Sequence, residues 1–357
     1  MRASVFALAM TLIACSSAGL TQTAGSSGDP GATGDDSSGG DASVDGSSSS
    51  SSSSSSGGAT PPSTNVKIIV EPSDSGSALV SAIEGATKSV HMTMYLLSST
   101  KVINAIIAAK NKGLDVKVVL NQNFPMGDGS NASVESQLKG AGVSVVWAPA
   151  GYALTHEKCV ILDGATAWIM TMNATQSSPT DNREYLAVDT DADDVAEAET
   201  IFQADYVNTN PSLSGKLVVA PTNARPRIQD LVNGAKTTID IEGEELSDST
   251  LVPLLAAKAD AGVKIRVVLA NTTPTSAQQT AVTTLKAHKV QVVSLATPYV
   301  HAKVLVADGT LAYVGSANFT AASLTTNREL GVIFSTSTEI AKVSSTIGSD
   351  VAAGSPL

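Results

Sequence analysis

His156-Glu-Lys158-Cys-Val-Ile-Leu-Asp163-Gly164 and His301-Ala-Lys303-Val-Leu-Val-Ala-Asp308-Gly309 are the same sentence written twice, and their repetition decides the fold. Each is followed by an asparagine, Asn173 and Asn318, and then by Asn-Arg-Glu, at Asn182-Arg183-Glu184 and Asn327-Arg328-Glu329. The interval from His to Asn is 17 residues in both copies (173−156, 318−301), and that from His to Glu is 28 (184−156, 329−301). Four chemically distinct residue types held at one offset of 145 (301−156) imply an internal duplication rather than coincidence.

Working outward, the duplication extends beyond the motifs. Lys67-Ile-Ile-Val-Glu-Pro72 matches Lys216-Leu-Val-Val-Ala-Pro221, and Asp115-Val-Lys-Val-Val-Leu120 matches Lys264-Ile-Arg-Val-Val-Leu269. Asp205 and Asp350 also correspond, each near the end of a terminal helical stretch. Within the first copy the hydrophobic pattern alternates. Strands are expected at 66–70, 89–96, 115–120 and 143–147, and helices at 77–86, 101–112 and 133–141. Such alternation gives an α/β class with crossover units and mixed, mainly parallel sheets flanked by helices. Two similar units of this kind pack with pseudo-two-fold symmetry. The units divide near 208–214, giving repeats 66–210 and 211–357.

The motif has a chemical reading of its own. Positions i and i+2 of a strand share a face, so His156 and Lys158 point together, as do His301 and Lys303. Ammonium groups and Asn amides suit phosphate oxygens. Histidine is the side chain whose unperturbed pKa lets a neutral and a protonated ring coexist near neutrality, one to attack and one to donate a proton. Glu184 and Glu329 fit as carboxylates that accept from an imidazole nitrogen and orient it. Asp163 and Asp308, each before a glycine, read as turn and hydrogen-bonding residues. For Arg183 and Arg328, phosphate contact and ion pairing stay equally open. A lysine beside each motif histidine would repel a metal ion, so neither metal nor cofactor is called for. His91 and His288 read as structural, and Cys159, in an apolar run, as a buried thiol. Tyr95 and Glu244 end equivalent strands, and their mismatch points to an asymmetric pocket.

These motifs resemble the phospholipase D superfamily, whose signature is His-x-Lys-x4-Asp followed by Gly-Ser-x-Asn and a later Glu. The paired Asn-Arg-Glu segments are similar to its phosphatidylserine/cardiolipin synthase-like branch. The resemblance covers residues 66–352, with one departure: Met170-Thr171 stands where the second copy has Gly315-Ser316. It implies a single cleft holding both motifs. It implies a phosphodiesterase that hydrolyses or transfers the phosphatidyl group of a phospholipid through a phosphohistidine intermediate, with His156 as nucleophile and His301 as general acid. Lys158, Lys303, Asn173, Asn318, Glu184 and Glu329 complete the implied catalytic set, supported by Asp163, Asp308, Thr171 and Ser316. The alternatives are a metal-independent endonuclease of the same superfamily and a non-catalytic lipoprotein that binds phosphate ligands.

Charge bears on the choice. The net charge is −11, and five aspartates against Arg2 place −4 of it before residue 66, leaving about −7 on the repeats. Nucleic acid binding calls for clustered Lys and Arg, so an acidic chain makes nucleic acid the lesser partner. Residues 1–15 (MRASVFALAMTLIAC) carry Arg2, a short apolar run and Leu12-Ile13-Ala14-Cys15, which resembles a bacterial lipobox. They are expected to be a lipoprotein signal peptide, with Cys15 as the lipid anchor of an exported, membrane-anchored monomer. Residues 16–65 hold an unbroken serine run from Ser47 to Ser56 and are expected to be a disordered linker with a reach of roughly 40 Å.

Overall fold

A computed structural model describes residues 60–124 and 130–357. The expected signal peptide, Cys15 and most of the linker lie outside the described residues. Ser63, on the linker side of residue 65, forms a bridge to Phe334 and donates to Asp189 Oδ1 at 3.2 Å, so the folded unit reaches back past that boundary.

The first repeat runs β1 (Val66–Glu71), α1 (Ser77–Gly85), β2 (Ser89–Met94), α2 (Thr100–Asn111), β3 (Asp115–Leu120), α3 (Ala132–Gly140), β4 (Ser144–Trp147), β5 (Lys158–Leu162), β6 (Thr166–Met170), α4 (Ser178–Asp181), β7 (Asn182–Asp189) and α5 (Ala192–Tyr206). The second runs β8 (Val218–Ala220), α6 (Ala224–Gly234), β9 (Thr238–Gly243), α7 (Leu251–Asp260), β10 (Lys264–Ala270), α8 (Ser276–Ala287), β11 (Gln291–Leu295), β12 (Tyr299–Val300), β13 (Lys303–Ala307), β14 (Leu311–Gly315), α9 (Ala321–Thr325), β15 (Glu329–Phe334), α10 (Ser337–Ala353) and β16 (Ser355–Pro356). The sheets are ordered β1-β7-β6-β5-β2-β3-β4, with β12 added to β7, and β16-β11-β10-β9-β13-β14-β15-β8.

Both sheets are mixed, as expected, but not mainly parallel: antiparallel ladders outnumber parallel ones in each, because the motif strands and their neighbours run as hairpins and returns rather than crossovers. Parallel ladders join β2, β3 and β4, and β9, β10 and β11, where helices make the crossovers. The motif-bearing strands pair antiparallel instead, because β5–β6 and β13–β14 are hairpins. Their turns carry the sequence signal. Asp163 (φ 58°) and Gly164 (φ 63°), like Asp308 (φ 53°) and Gly309 (φ 63°), are left-handed at both central positions. Asp tolerates that region and Gly adopts it freely, which gives the turn that Ala165 N and Thr310 N close on the Leu162 and Ala307 carbonyls, three residues linking the last paired positions of each hairpin.

Burial explains the continuous apolar runs. All five residues of β5 and all five of β13 are buried. On their outer faces, separate cores form under α1–α3 and α6–α8. On the inner faces one continuous core runs through both repeats. It joins Ile161, Ile169 and Tyr185 to Val304, Val314 and Val332, with Phe202 of α5 and Val343 of α10. The two sheets therefore share an interior, and neither repeat has an inner face of its own to expose to water.

Candidate active site

Each motif histidine is fixed by the other repeat. The residue before it adds on to the partner repeat's Asn-Arg-Glu segment: Thr155 bridges to Arg328, and β12 pairs in parallel with β7. His156 N then donates to the Arg328 carbonyl at 2.9 Å, and His301 N to the Arg183 carbonyl at 3.2 Å. The side chains cross in the same way. His156 Nδ1 lies 3.0 Å from both oxygens of Glu329. His301 Nδ1 lies 2.8 Å from Glu184 Oε1, in a contact too bent to count as a hydrogen bond. Such catalytic contacts are commonly loose without substrate. The crossing brings both copies into one cleft.

The carboxylates are held from within their own repeats. Thr171 Oγ1 donates to Glu184 at 2.5 Å, and Ser316 Oγ donates to Glu329 at 2.6 Å. Asn182 and Asn327 each donate to the same glutamates at 3.2 Å. Both glutamates are essentially buried. Burial raises Glu329, but the His156 charge and hydrogen bond, then Lys158 and Ser316, hold it below the usual carboxylate range.

Met170 does not face the cleft. It is fully buried in the outer core of its repeat. Gly315, its counterpart, faces Tyr313, and an added Cβ there would stand 2.6 Å from Gly331 Cα. In the first copy Met170 pairs with Leu186 and the space is filled by side chains; in the second, two glycines make room for a tyrosine ring. The departure from the motif is therefore a packing exchange.

Asp163 and Asp308 stand away from the chemistry. Asp163 accepts from the backbone N–H of Thr87, Lys88 and Ser89 at 2.7–3.0 Å, and Asp308 from Lys236, Thr237 and Thr238 at 2.7–2.9 Å. These bonds tie each hairpin turn to the start of β2 or β9, and they hold both carboxyls at about 2 in spite of desolvation. The arginines are ion pairs. Arg183 grips Asp350 at 2.7 and 3.0 Å, and Arg328 grips Asp205 at 2.9 and 3.0 Å, each bidentate and each across the repeats. Cys159 is buried, as expected, and burial drives its thiol far up. His91 contacts Glu199 and stacks on Phe202, and His288 contacts Asp260, both outside the site.

The two lysines differ. Each donates to its own histidine's carbonyl at 2.6 Å. Lys158 then has the Tyr95 ring at 5.0 Å, and burial, against the pull of Glu329, lowers it to about 7. Lys303 instead has Glu244 Oε2 at 2.9 Å. That carboxylate also accepts from Asn318 Nδ2 at 3.3 Å and Tyr299 OH at 3.1 Å, and lies 3.6 Å from His301 Nε2. Glu244 is thus a full member of the site, and Tyr299 its support. The sequence signal was the mismatch of Glu244 with Tyr95; Tyr299 had none. Burial raises Glu244, but Lys303 and His301 outweigh it and hold the carboxyl far below its usual value. Glu157, between His156 and Lys158, was also passed over. It is buried with one oxygen unpartnered, and burial followed by the Asp205 charge raises it to about 8. Among the described residues, no three His, Cys, Asp or Glu side chains are grouped to hold a metal ion.

Fold and site define a duplicated α/β protein whose one cleft is built crosswise from two His–Lys–Glu sets, with Asn318 added on the second side; Asn173 has a buried Oδ1 without a hydrogen-bond partner among the described residues. A family model described as "Cardiolipin synthase, PLD-like domain" matches residues 79–206 and 228–350, and the chain belongs to that family, with a copy in each half. It is similar to cardiolipin synthase A of Cronobacter sakazakii, 31% identical over 146 residues, covering 40% of this chain and 29% of that protein. It is also similar to a polyphosphate kinase of Vibrio vulnificus, 24% identical over 197 residues, 51% of this chain and 28% of that protein. The chain spans less than a third of the length of these curated relatives. Among solved structures, phosphatidylserine synthase of Haemophilus influenzae superposes with a TM-score of 0.64 at 12% identity, covering 82% of this chain and 87% of that one. The polyphosphate kinase of Porphyromonas gingivalis gives 0.62 at 16%, covering 79% and 50%. Both likenesses show the fold alone.

Proposed function

We propose that the protein is a phosphodiesterase of the phospholipase D type, acting on the phosphatidyl ester of a phospholipid by hydrolysis or by transfer to an alcohol. The observation that carries this reading is the crossed pair of His–Glu contacts in one cleft, with a lysine beside each and Asn318 beside the second. Glu329 occupies His156 Nδ1, which leaves Nε2 for attack. Burial, with Lys158 and Lys303 nearby, holds His156 below its usual pKa against the pull of Glu329, so the neutral ring prevails at neutral pH. This supports His156 as nucleophile. The lone pair of Nε2 forms the P–N bond while the P–O bond to the alcohol breaks, and His301 gives that oxygen its proton. Water or a second alcohol then attacks phosphorus and returns a proton to His301, and the P–N electrons go back to His156.

The endonuclease alternative meets a local obstacle. Glu244 lies 3.6 Å from His301 Nε2 with Glu245 beside it, where a neighbouring phosphate of a nucleic acid strand would be repelled. The proposal keeps export and lipid anchoring through Cys15, which rest on the N-terminal sequence alone. No helix among the described residues is long and apolar enough to cross a membrane.

The test offers phospholipid vesicles and plasmid DNA in parallel, in EDTA, to the wild type and to His156→Ala. Headgroup release that vanishes in the variant supports the proposal. Nicked DNA without lipid turnover would transfer the protein to the nucleases.

A further inference from the structure

Beside the catalytic cleft, in the second repeat, lies a cavity of about 730 Å³. It sits beyond the C-terminal ends of β9, β10 and β11, where parallel strands of α/β folds open towards ligands. Its far side is walled by the β10–α8 loop and α8, with hydroxyls and amides from Thr272, Thr275 and Gln279. Its near side is Glu244, Glu245 and Tyr299. Since Glu244 also touches Lys303, Asn318 and His301, one carboxylate belongs to both the cavity and the site of phosphoryl chemistry.

The charges around this cavity do not balance. Glu244 has Lys303 as its cation. Lys286, on the wall, is drawn off by the Leu357 carbonyl. Glu245 is half-buried, and its carboxylate has neither a hydrogen bond nor an ion pair among the described residues. Burial first, and the Glu244 charge second, raise it to about 7, with only Lys303 opposing. A carboxylate so placed is stabilised by whatever cation fills the space beside it. An anionic group there would face two carboxylates, and a neutral polyol would leave the imbalance in place.

From this geometry we infer that the cavity is the subsite for the alcohol portion of the substrate, and that it selects an alcohol bearing a cationic amine, which Glu245 pairs with and Glu244 and Tyr299 flank. The inference rests on the phosphodiesterase reading for its orientation. His301 Nε2, the proton donor to the leaving oxygen, is 3.6 Å from Glu244, so a short aminoalkyl chain on that oxygen carries its nitrogen to the carboxylate pair. The same subsite would serve an amino alcohol arriving as acceptor. Glu245 thereby acts as a specificity residue with no part in bond making.

The test is a binding comparison on the full chain carrying His156→Ala, so that turnover does not intrude. Glycerophosphoethanolamine and glycerophosphoglycerol share the diester and differ in the amine. Calorimetry at low salt is expected to give the ethanolamine diester about tenfold tighter binding, the scale of one partly desolvated charge pair. Adding Glu245→Gln should bring the two within about twofold. Equal binding, tighter binding of the glycerol diester, no binding of either, or a preference that survives Glu245→Gln would each overturn the inference. Should Glu245→Gln fail to fold, displacement by methylammonium replaces it: about 10 mM methylammonium chloride should weaken the ethanolamine diester more than the glycerol diester, relative to equal sodium chloride. Equal weakening would count against the site. Turnover of bis(p-nitrophenyl) phosphate by the wild type is measured alongside. Turnover without amine preference removes the inference and spares the phosphodiesterase; preference without turnover keeps Glu245 as an amine site and removes the phosphodiesterase together with the assignment to its leaving alcohol.

Discussion

The two halves of the cleft are alike in covalent pattern and different in charge. On the first side His156 stands edge-on to the Tyr95 ring at 4.7 Å, and Lys158 has that same ring and, among the described residues, no carboxylate in direct contact. On the second, His301 and Lys303 both have Glu244 within reach, and Tyr299 braces it. An aromatic wall favours a neutral, nucleophilic imidazole; a carboxylate wall favours one that handles protons. The lesson is that a duplicated motif specifies where the paired groups stand, and on the proposed mechanism the unmatched residue beside each copy sets what each does.

The sharpest way to break this comparison is to remove each histidine in turn and watch p-nitrophenol release from bis(p-nitrophenyl) phosphate. His156→Ala should lose about 10⁴-fold or more in kcat and show no first-turnover burst. His301→Ala should keep the burst, because p-nitrophenolate leaves without a proton, and lose the later turnovers. Identical behaviour of the two variants would dissolve the proposed division of labour.

Next come the crossed carboxylates. Glu329→Gln should lower kcat about 10²–10³-fold by leaving His156 without its orienting acceptor, with KM little changed. Glu184→Gln should impair the second histidine instead, retaining the burst and slowing the steady state. A loss of burst in Glu184→Gln but not in Glu329→Gln would mean that the histidines have exchanged roles.

The arginine clamps offer a smaller, structural contrast. Arg328 and Asp205 are both essentially buried, whereas Arg183 keeps 15% of its side chain in contact with solvent. Removing one partner of a buried pair costs about 3–5 kcal/mol, so Arg328→Ala should destabilise by that order and Arg183→Ala by less. Urea unfolding midpoints read the difference directly.

The mildest probe is Glu157, whose counterpart is Ala302. Its carboxyl, at about 8 in the fold against 4.5 for an unperturbed group, favours the folded state fully below pH 4.5 and loses that contribution as pH rises through 8. Glu157→Gln should therefore gain on the wild type in melting temperature as pH goes from 6 to 9. A constant difference across that range would show that Glu157 titrates normally.

Much of this was legible in the sequence. Spacing alone exposed the duplication, and the strands and helices expected over 66–147 fall within about two residues of β1–β4 and α1–α3, because each is a strongly patterned run bounded by Gly, Pro or Ser. The site residues were legible because they repeat. The crossing was not, since periodicity describes a chain along its length and does not say which copy's glutamate faces which histidine. Nor was the antiparallel majority of ladders in each sheet, although Asp163-Gly164 and Asp308-Gly309 were in view; an Asp-Gly turn signals a hairpin only once both flanking runs are known to be strands. Arg183 and Arg328 could be settled only by finding Asp350 and Asp205 at their forks. Glu157 and Tyr299 were missed for the opposite reason to the rest: neither has a counterpart to draw attention to it.

The polypeptide link between α5 and β8 has a consequence for heredity. In a dimer of identical chains every substitution is made twice, so a tyrosine on one side of the cleft and a glutamate on the other could not coexist. Joining the copies in a single reading frame lets Tyr95 and Glu244 drift apart while the four crossed residues stay matched. The fused chain can thus give two unlike sides to what a strict two-fold rotation would keep identical.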